Sequence, residues 1–362
     1  MKKVLVFGMT ENPGGIESVI MNYYRYINRN LIQLDFLCNC SKIAYEEEIE
    51  GLGGKIYKIT PRKKNYFAFK KELDEFMKQN AHEYSAIWIN VCSLVNIDYL
   101  ILAKKYGIPK RIIHCHNSSN DGGIIKLIIH TVNKYRVKHY ATDFWSCSAV
   151  ASPWFFGKKI IKSSHYKIIT NAIDINKFKR SQRVRDEYRK QLGLEDKIVI
   201  GHVGRFHFQK NHQFLIEIFE ELIKRSKDYR LILIGQGELQ QEIKELVSEK
   251  KLADKVMFLD AVSDVQNLYQ VMDCFVLPSL FEGLGIVALE AQAAQLPCVL
   301  ADTIPIEVKV NDEVIFVPLE RGAKEWANVI EGVKGRFDLS CKLAESKFDI
   351  TKQVNDFERM FI

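Results

Sequence analysis

The feature that most constrains this chain is a rhythm. Short apolar runs recur along it, and longer amphipathic stretches separate them. In the first half the runs are KVLVFG (3–8), LDFLCN (34–39), KIYKI (55–59), AIWIN (86–90), RIIHCH (111–116) and DFWSCS (143–148). In the second half they are KIVIGHVG (197–204), RLILIG (230–235), VMFLD (256–260), CFVLPS (274–279), CVLAD (298–302) and VIFVP (314–318). Helical periodicity fills the gaps: over 15–28, Ile16, Val19, Ile20, Tyr23 and Ile27 share one stripe, and further helices are expected at 211–226, 238–250, 285–295 and 323–334. Strands alternating with helices make β-α units around a parallel sheet.

The rhythm is too long for one core. A chain of 362 residues exceeds what a single hydrophobic core serves and implies two domains of about 150–200 residues each. With 47% apolar and 27% charged residues, no low-complexity tract and no repeat at a solenoid period, neither a disordered chain nor a solenoid fits. The polar stretch KRSQRVRDEYRKQLGLEDK (179–197) reads as a helix and loop leading into a fresh strand, so the joint is expected near Lys179. The expected organisation is a Rossmann-like domain over 1–178, a second over 179–345, and a C-terminal helix within 346–362 packing back on the first. The fold class is α/β, two doubly wound domains facing across a cleft, with ligands expected at the C-terminal ends of the strands.

Charge separates the halves. Residues 1–170 carry +11 and residues 171–362 carry −4. The basic clusters interleave with aromatics in PRKKNYFAFKK (61–71), NKYRVKHY (133–140) and WFFGKKIIK (154–162). No nucleic-acid motif accompanies them, so nucleic acid is not the expected partner. An anionic membrane surface suits lysine beside Trp, Phe and Tyr; lysines on solvated helix faces give the same composition. The apolar run in MKKVLVFGMT is too short for a signal-peptide core, and no window reaches the ~18 apolar residues of a spanning helix. The expected location is cytoplasmic. Eight cysteines without a Cys-x-x-Cys read as small buried hydrophobes rather than a disulfide frame or zinc site.

The stretch SLFEGLGIVALEAQAAQLPCVLAD (279–302) concentrates the candidate chemistry. CFVLPS is a strand, LFEGLG a loop at its C-terminal end, and the helix opening after Gly285 points a positive dipole end at whatever binds there. Gly283 and Gly285, flanking Leu284 and followed by Ile286, let a backbone come close. Glu282 precedes the helix, and Glu290 lies about 8 Å further along its axis. A sugar, a diphosphate and a ribose would span those points; an ordinary loop with two solvated glutamates satisfies the same spacing. In GHVGRFHFQKN (201–211), Gly204 ends a strand, and Arg205 and Lys210 would neutralise a departing nucleoside diphosphate. Gly235 and Gly237 form another Gly-x-Gly at a strand end. Gly14 and Gly15 open a helix after the first strand without the Gly-x-Gly-x-x-Gly spacing of a dinucleotide fold.

Taken together, GGIE (14–17), HCHN (114–117), NAID (171–174), GHVGR with QKN (201–211), GQGEL (235–239) and EGLGIVALE (282–290) followed by LPCVLAD make a chain that resembles the retaining GT-B glycosyltransferases of the glycosyltransferase 4 type, in the group serving capsular and exopolysaccharide synthesis. The resemblance spans nearly the whole chain. It departs at Gln295, where such enzymes often carry Gly.

The resemblance implies roles. Arg205 and Lys210 would bind the donor diphosphate, Glu282 with the backbone of 283–286 the transferred sugar, Glu290 the ribose, and Gly15 would admit the first domain's loop to the donor. The acceptor-side histidine corresponds to His116, although His114 shares its strand face. The implied reaction moves a hexose or N-acetylhexosamine from a nucleotide sugar, UDP-linked, to a saccharide acceptor carried on polyprenyl diphosphate, at the inner face of the cell membrane and with retention. No cofactor beyond the nucleotide sugar is expected, and the absence of Asp-x-Asp gives no indication of a metal. A nucleotide-sugar epimerase of the same fold and a non-catalytic membrane-docking subunit remain as alternatives.

Overall fold

A computed structural model describes residues 1–117, 123–260, 264–333 and 340–362. The chain divides into two compact units, Met1–Ala172 with Ile350–Ile362, and Ile173–Asp349. The division falls a few residues before the expected joint at Lys179.

The first unit is built on a seven-stranded parallel sheet: β1 (Lys2–Phe7), β2 (Ile32–Cys38), β3 (Ile56–Lys58), β4 (Ala86–Val91), β5 (Lys110–Cys115), β6 (Asp143–Ser146) and β7 (Tyr166–Ile168). Its order is β3-β2-β1-β4-β5-β6-β7. Strand β1 pairs with β2 on one side and β4 on the other, Val4 facing both Leu34 and Ala86. Val4, Leu5 and Val6 are fully buried, as a strand covered by helices on both faces requires. One sheet face is closed by the C-terminal helix Ile350–Arg359, which packs on the helix Gly15–Tyr26. There Phe357 stacks on Tyr23 with centroids 4.1 Å apart and meets Trp88 edge-on at 5.1 Å.

The second unit repeats the plan with six parallel strands: β8 (Ile198–Val203), β9 (Tyr229–Ile234), β10 (Val256–Leu259), β11 (Cys274–Leu277), β12 (Cys298–Ala301) and β13 (Val314–Val317). The order β10-β9-β8-β11-β12-β13 is the doubly wound arrangement in which the winding reverses beside the first strand. The polar stretch at 179–197 is a helix, Gln182–Gln191, capped by Ser181 and fixed to the start of the sheet by Arg185 and Arg189, which both pair with Asp273. The cysteines whose side chains are described form no disulfide, and Cys38, Cys115, Cys147, Cys274 and Cys298 are buried.

Candidate active site

In the second sheet the winding reverses between β8 and β11, so the loops leaving those strands meet where doubly wound folds bind ligands. Lys210, from the loop after β8, donates from Nζ to Glu282 Oε1 at 2.7 Å, and Glu282 stands on the loop after β11. Both side chains are largely withdrawn from solvent, 14% and 8% exposed. Ser279 Oγ donates to the same oxygen at 2.7 Å, and Gln209 Nε2 donates to Glu282 Oε2 at 3.3 Å. Among the described residues, the carboxylate is held by at least these three donors from two loops.

Backbone geometry brings Lys210 there. After a single 3-10 turn, Phe208–Lys210, Asn211 adopts the left-handed conformation at φ +55°, which asparagine tolerates better than most residues. That kink launches the helix His212–Arg225 and leaves Lys210 turned toward Gly204. A Cβ at Gly204 would lie 3.1 Å from the Lys210 stem. Gly235 and Gly237 serve the same corner by backbone packing. A Cβ at Gly235 would fall 2.1 Å from Gly204 O, and one at Gly237 2.4 Å from Phe206 O. The two loops are joined there, with Phe206 N donating to Gln236 O at 3.1 Å and Leu239 N to Phe206 O at 3.0 Å.

Arg205 leaves the same strand end but turns outward. It is 68% exposed, and its Nη2 donates to Glu238 Oε2 at 3.0 Å. The pair of cations read from the sequence is thus split between a half-buried Lys210 and a surface Arg205. Gly283, Leu284 and Gly285 lead into the helix Ile286–Ala293, with Gly285 at φ +87° making the left-handed turn that starts it. On that helix Glu290 is buried and accepts from Tyr269 Oη at 2.9 Å. Burial pushes its pKa up to about 7, opposed by the Tyr269 bond and by the positive charges of Lys177 and Lys210.

In the first unit the corresponding reversal lies between β1 and β4. Gly14 caps the helix Gly15–Tyr26, and a Cβ there would meet Glu17 Oε2 at 2.8 Å; a Cβ at Gly15 would meet nothing within 4 Å. Buried Glu17 accepts from Thr10 N at 3.0 Å and Thr10 Oγ1 at 2.6 Å, tying the loop after β1 to the first helical turn. The rings of His114 and His116 are 4.1 Å apart, on one face as the strand period requires. The structure separates their surroundings. His114 is completely buried between Trp88 and Trp145, with Trp88 Nε1 donating to its Nδ1 at 3.3 Å.

His116 is half-buried, with Nε2 2.9 Å from Asn90 Oδ1. Asn90 donates from Nδ2 to Phe7 O at 3.3 Å, so its Oδ1 is the acceptor and the proton resides on His116 Nε2. Nδ1 is then the lone-pair nitrogen, and it has no hydrogen-bond partner among the described residues. Burial pushes the His116 pKa down to about 3, keeping the ring neutral. Asn90 is the orienting residue the sequence reading missed; its one signal is a polar residue ending the apolar run AIWIN. Among the described residues no cluster of three or more His, Cys, Asp or Glu is placed to hold a metal.

The profile of the family described as "Glycosyl transferases group 1" matches residues 184–333, which contain this corner. The chain is also 31% identical over 338 residues to the "Putative glycosyltransferase EpsF" of Bacillus subtilis, covering 91% of this chain and 87% of that one. The chain belongs to the group 1 glycosyltransferases. Another relative of this glycosyltransferase is the Escherichia coli "UDP-Gal:alpha-D-GlcNAc-diphosphoundecaprenol alpha-1,3-galactosyltransferase", 32% identical over 37% of this chain and 36% of its own. Among solved structures, Anabaena HepE in complex with UDP and glucose superposes with a TM-score of 0.82 over 99% of both chains at 19% identity. That likeness shows the fold, and the fold of this glycosyltransferase is GT-B.

Proposed function

We propose that this glycosyltransferase moves a hexose or N-acetylhexosamine from a UDP-sugar to a lipid-linked saccharide during capsular or exopolysaccharide synthesis, retaining the anomeric configuration. The observation that carries the reading is the Lys210–Glu282 pair at the reversal point of the second sheet, at 2.7 Å. A cation and a carboxylate fixed side by side are suited to a ligand that is anionic at one end and hydroxylated at the other.

In this reading Lys210 receives the donor diphosphate, together with Arg205 once it leaves Glu238. Glu282 accepts hydrogen bonds from the transferred sugar, and the N–H groups at the start of the helix Ile286–Ala293 offer further donors. Glu290 takes the ribose hydroxyls. Gly14 and Gly15 give the loop after β1 a backbone that a polar ligand can approach closely. The bond from the anomeric carbon to the diphosphate breaks as the acceptor oxygen bonds to that carbon from the same side. The acceptor proton passes to the departing phosphate oxygen. His116, neutral and held in orientation by Asn90, orients the acceptor hydroxyl; no pair of catalytic carboxylates is then required. Binding energy aimed at the developing diphosphate charge raises turnover rather than ground-state affinity.

The lipid-linked acceptor is supported by the E. coli relative, whose name states one, and by the excess positive charge of residues 1–170. The corresponding location is peripheral, at the inner face of the cell membrane; among the described residues no helix is long and apolar enough to cross it. A screen of nucleotide sugars for thermal stabilisation identifies the donor. Proton NMR of the product made with that donor then reads the anomeric configuration. A UDP-sugar should stabilise the fold and yield a retained linkage. Isomerised sugar in the absence of acceptor would point to an epimerase, and no stabilisation by any nucleotide sugar would remove the reading.

A further inference from the structure

The helix Ile124–Arg136 is built inside out. Of its residues only His130 and Asn133 are buried, and both grip one backbone site: Leu94 N donates to His130 Nδ1 at 3.0 Å, and Asn133 Nδ2 donates to Leu94 O at 2.7 Å. Its apolar residues face solvent instead. Ile124 is 74% exposed, Ile125 71%, Ile128 58%, Val132 52% and Tyr135 71%. On the first turn of the helix Tyr66–Asn80, Tyr66 is 45% and Phe67 82% exposed. Soluble monomers rarely leave apolar faces of this kind uncovered without a use for them.

Beside this face lies a cavity of about 350 Å³ lined by Arg62, Asn96, Ile101, Ile128, Val132 and Arg136, among others. Arg62 links the two exposed surfaces, its guanidinium 5.4 Å from the centroid of the Tyr66 ring. Its Nε is buried with no hydrogen-bond partner among the described residues. Asp98 also lines the cavity, but Lys70 Nζ donates to its carboxylate at 3.0 Å. Lys63, Lys64 and Lys126 are exposed nearby in sequence.

We propose that this face docks on a bilayer and that the cavity takes the phosphate of one anionic phospholipid, with the lipid chain lying along Ile128 and Val132. The inference rests on the membrane location given above and names the surface responsible. A second copy of the chain would cover the isoleucines but leave Arg62 without a use. A phosphate attached to a hydrocarbon chain satisfies both, because guanidinium pairs with phosphate through its fork of donors while aliphatic carbon leaves water.

The test is sedimentation of the full chain with vesicles of phosphatidylcholine plus phosphatidylglycerol, and with phosphatidylcholine alone. The variants are Ile125→Ser/Ile128→Ser/Val132→Ser, Arg62→Gln, and Ile306→Ser as a control on the second unit, where Ile306 is 66% exposed. Thermal melts establish that each is folded; Ile125, Ile128, Val132 and Ile306 are exposed, and Arg62 is half-buried. The triple variant should bind the mixed vesicles at least about tenfold more weakly. Arg62→Gln should lose about fivefold on mixed vesicles with no change on phosphatidylcholine, and Ile306→Ser should match the parent. If the parent binds and both variants bind equally well, this surface is wrong although the membrane location stands. Failure of the parent on both vesicles would remove the membrane location itself. Displacement of the parent by soluble glycerol phosphate, without loss in the triple variant, would overturn the lipid assignment in favour of a free phosphate ester. A dimer in the parent that dissociates in the triple variant would overturn it in favour of a second copy.

Discussion

Lys210 and Glu282 stand 72 residues apart in sequence and 2.7 Å apart in space, one on each side of the point where the second sheet reverses its winding. Ser279 and Gln209 hold the same carboxylate, so its orientation is set before any ligand arrives. Preorganisation of this sort lowers a barrier because no reorganisation remains to be done during the reaction.

Glu282→Gln keeps the shape and removes the charge. The variant should remain folded, about 1–3 kcal/mol less stable because Lys210 loses its partner while largely buried, and its turnover should fall by about 100-fold or more. Denaturant midpoint and kcat are the two readouts. Near-normal turnover would take Glu282 out of the site.

Two glycines separate folding from function. Gly235→Ala places a Cβ 2.1 Å from Gly204 O at a φ of +143°, and should cost about 2–5 kcal/mol from strain and overpacking together. Gly15→Ala meets nothing within 4 Å and should shift stability by less than about 0.5 kcal/mol. If the loop after β1 must approach a ligand, Gly15→Ala nonetheless loses activity. Equal melting temperatures for the two variants would contradict the packing account.

Glu290 predicts a pH signature. Its pKa is raised from 4.5 to about 7, first by burial. Between those values the folded state holds a proton that the unfolded state has released, so this group's contribution to stability declines as pH rises through that window. Melting curves of the parent and Glu290→Gln from pH 4.5 to 8 should show the parent losing ground to the variant up to about pH 7 and holding a constant difference above it. A constant difference throughout would show that Glu290 titrates normally.

Asn90 fixes which nitrogen of His116 carries the proton. Asn90→Asp places a carboxylate against Nε2 and favours the imidazolium. The expected result is a new acidic limb in the pH profile of kcat, with KM for the donor little changed. The parent should show no such limb from His116, whose ring burial keeps neutral. An unchanged profile would reduce Asn90 to a structural contact.

Both sheets were legible because a strand covered on two faces must be apolar along its length, and that leaves a plain mark in sequence. Strand β7 escaped: it is three residues long and mostly exposed, an edge strand reading YKI. The left-handed turn after the helix Ile286–Ala293 was visible through its exception. Gln295 holds φ +59° at a position where glycine is the usual answer to that strain. Side-chain partners were not legible. Nothing in the order of residues tells that Arg205 turns to Glu238 while Lys210 turns to Glu282, because a partner is chosen by loop geometry. The helix Ile124–Arg136 shows the same limit, since its periodicity marks an apolar stripe without saying which way the stripe faces.

The central claim is that the corner around Lys210 and Glu282 binds a nucleoside diphosphate. Titration calorimetry of UDP into the parent and into folded Lys210→Ala tests it most directly. The parent should bind UDP, and the variant should bind at least about tenfold more weakly through loss of a charge-assisted contact to phosphate. No binding of UDP by the parent, or equal affinity in the two proteins, would contradict the claim.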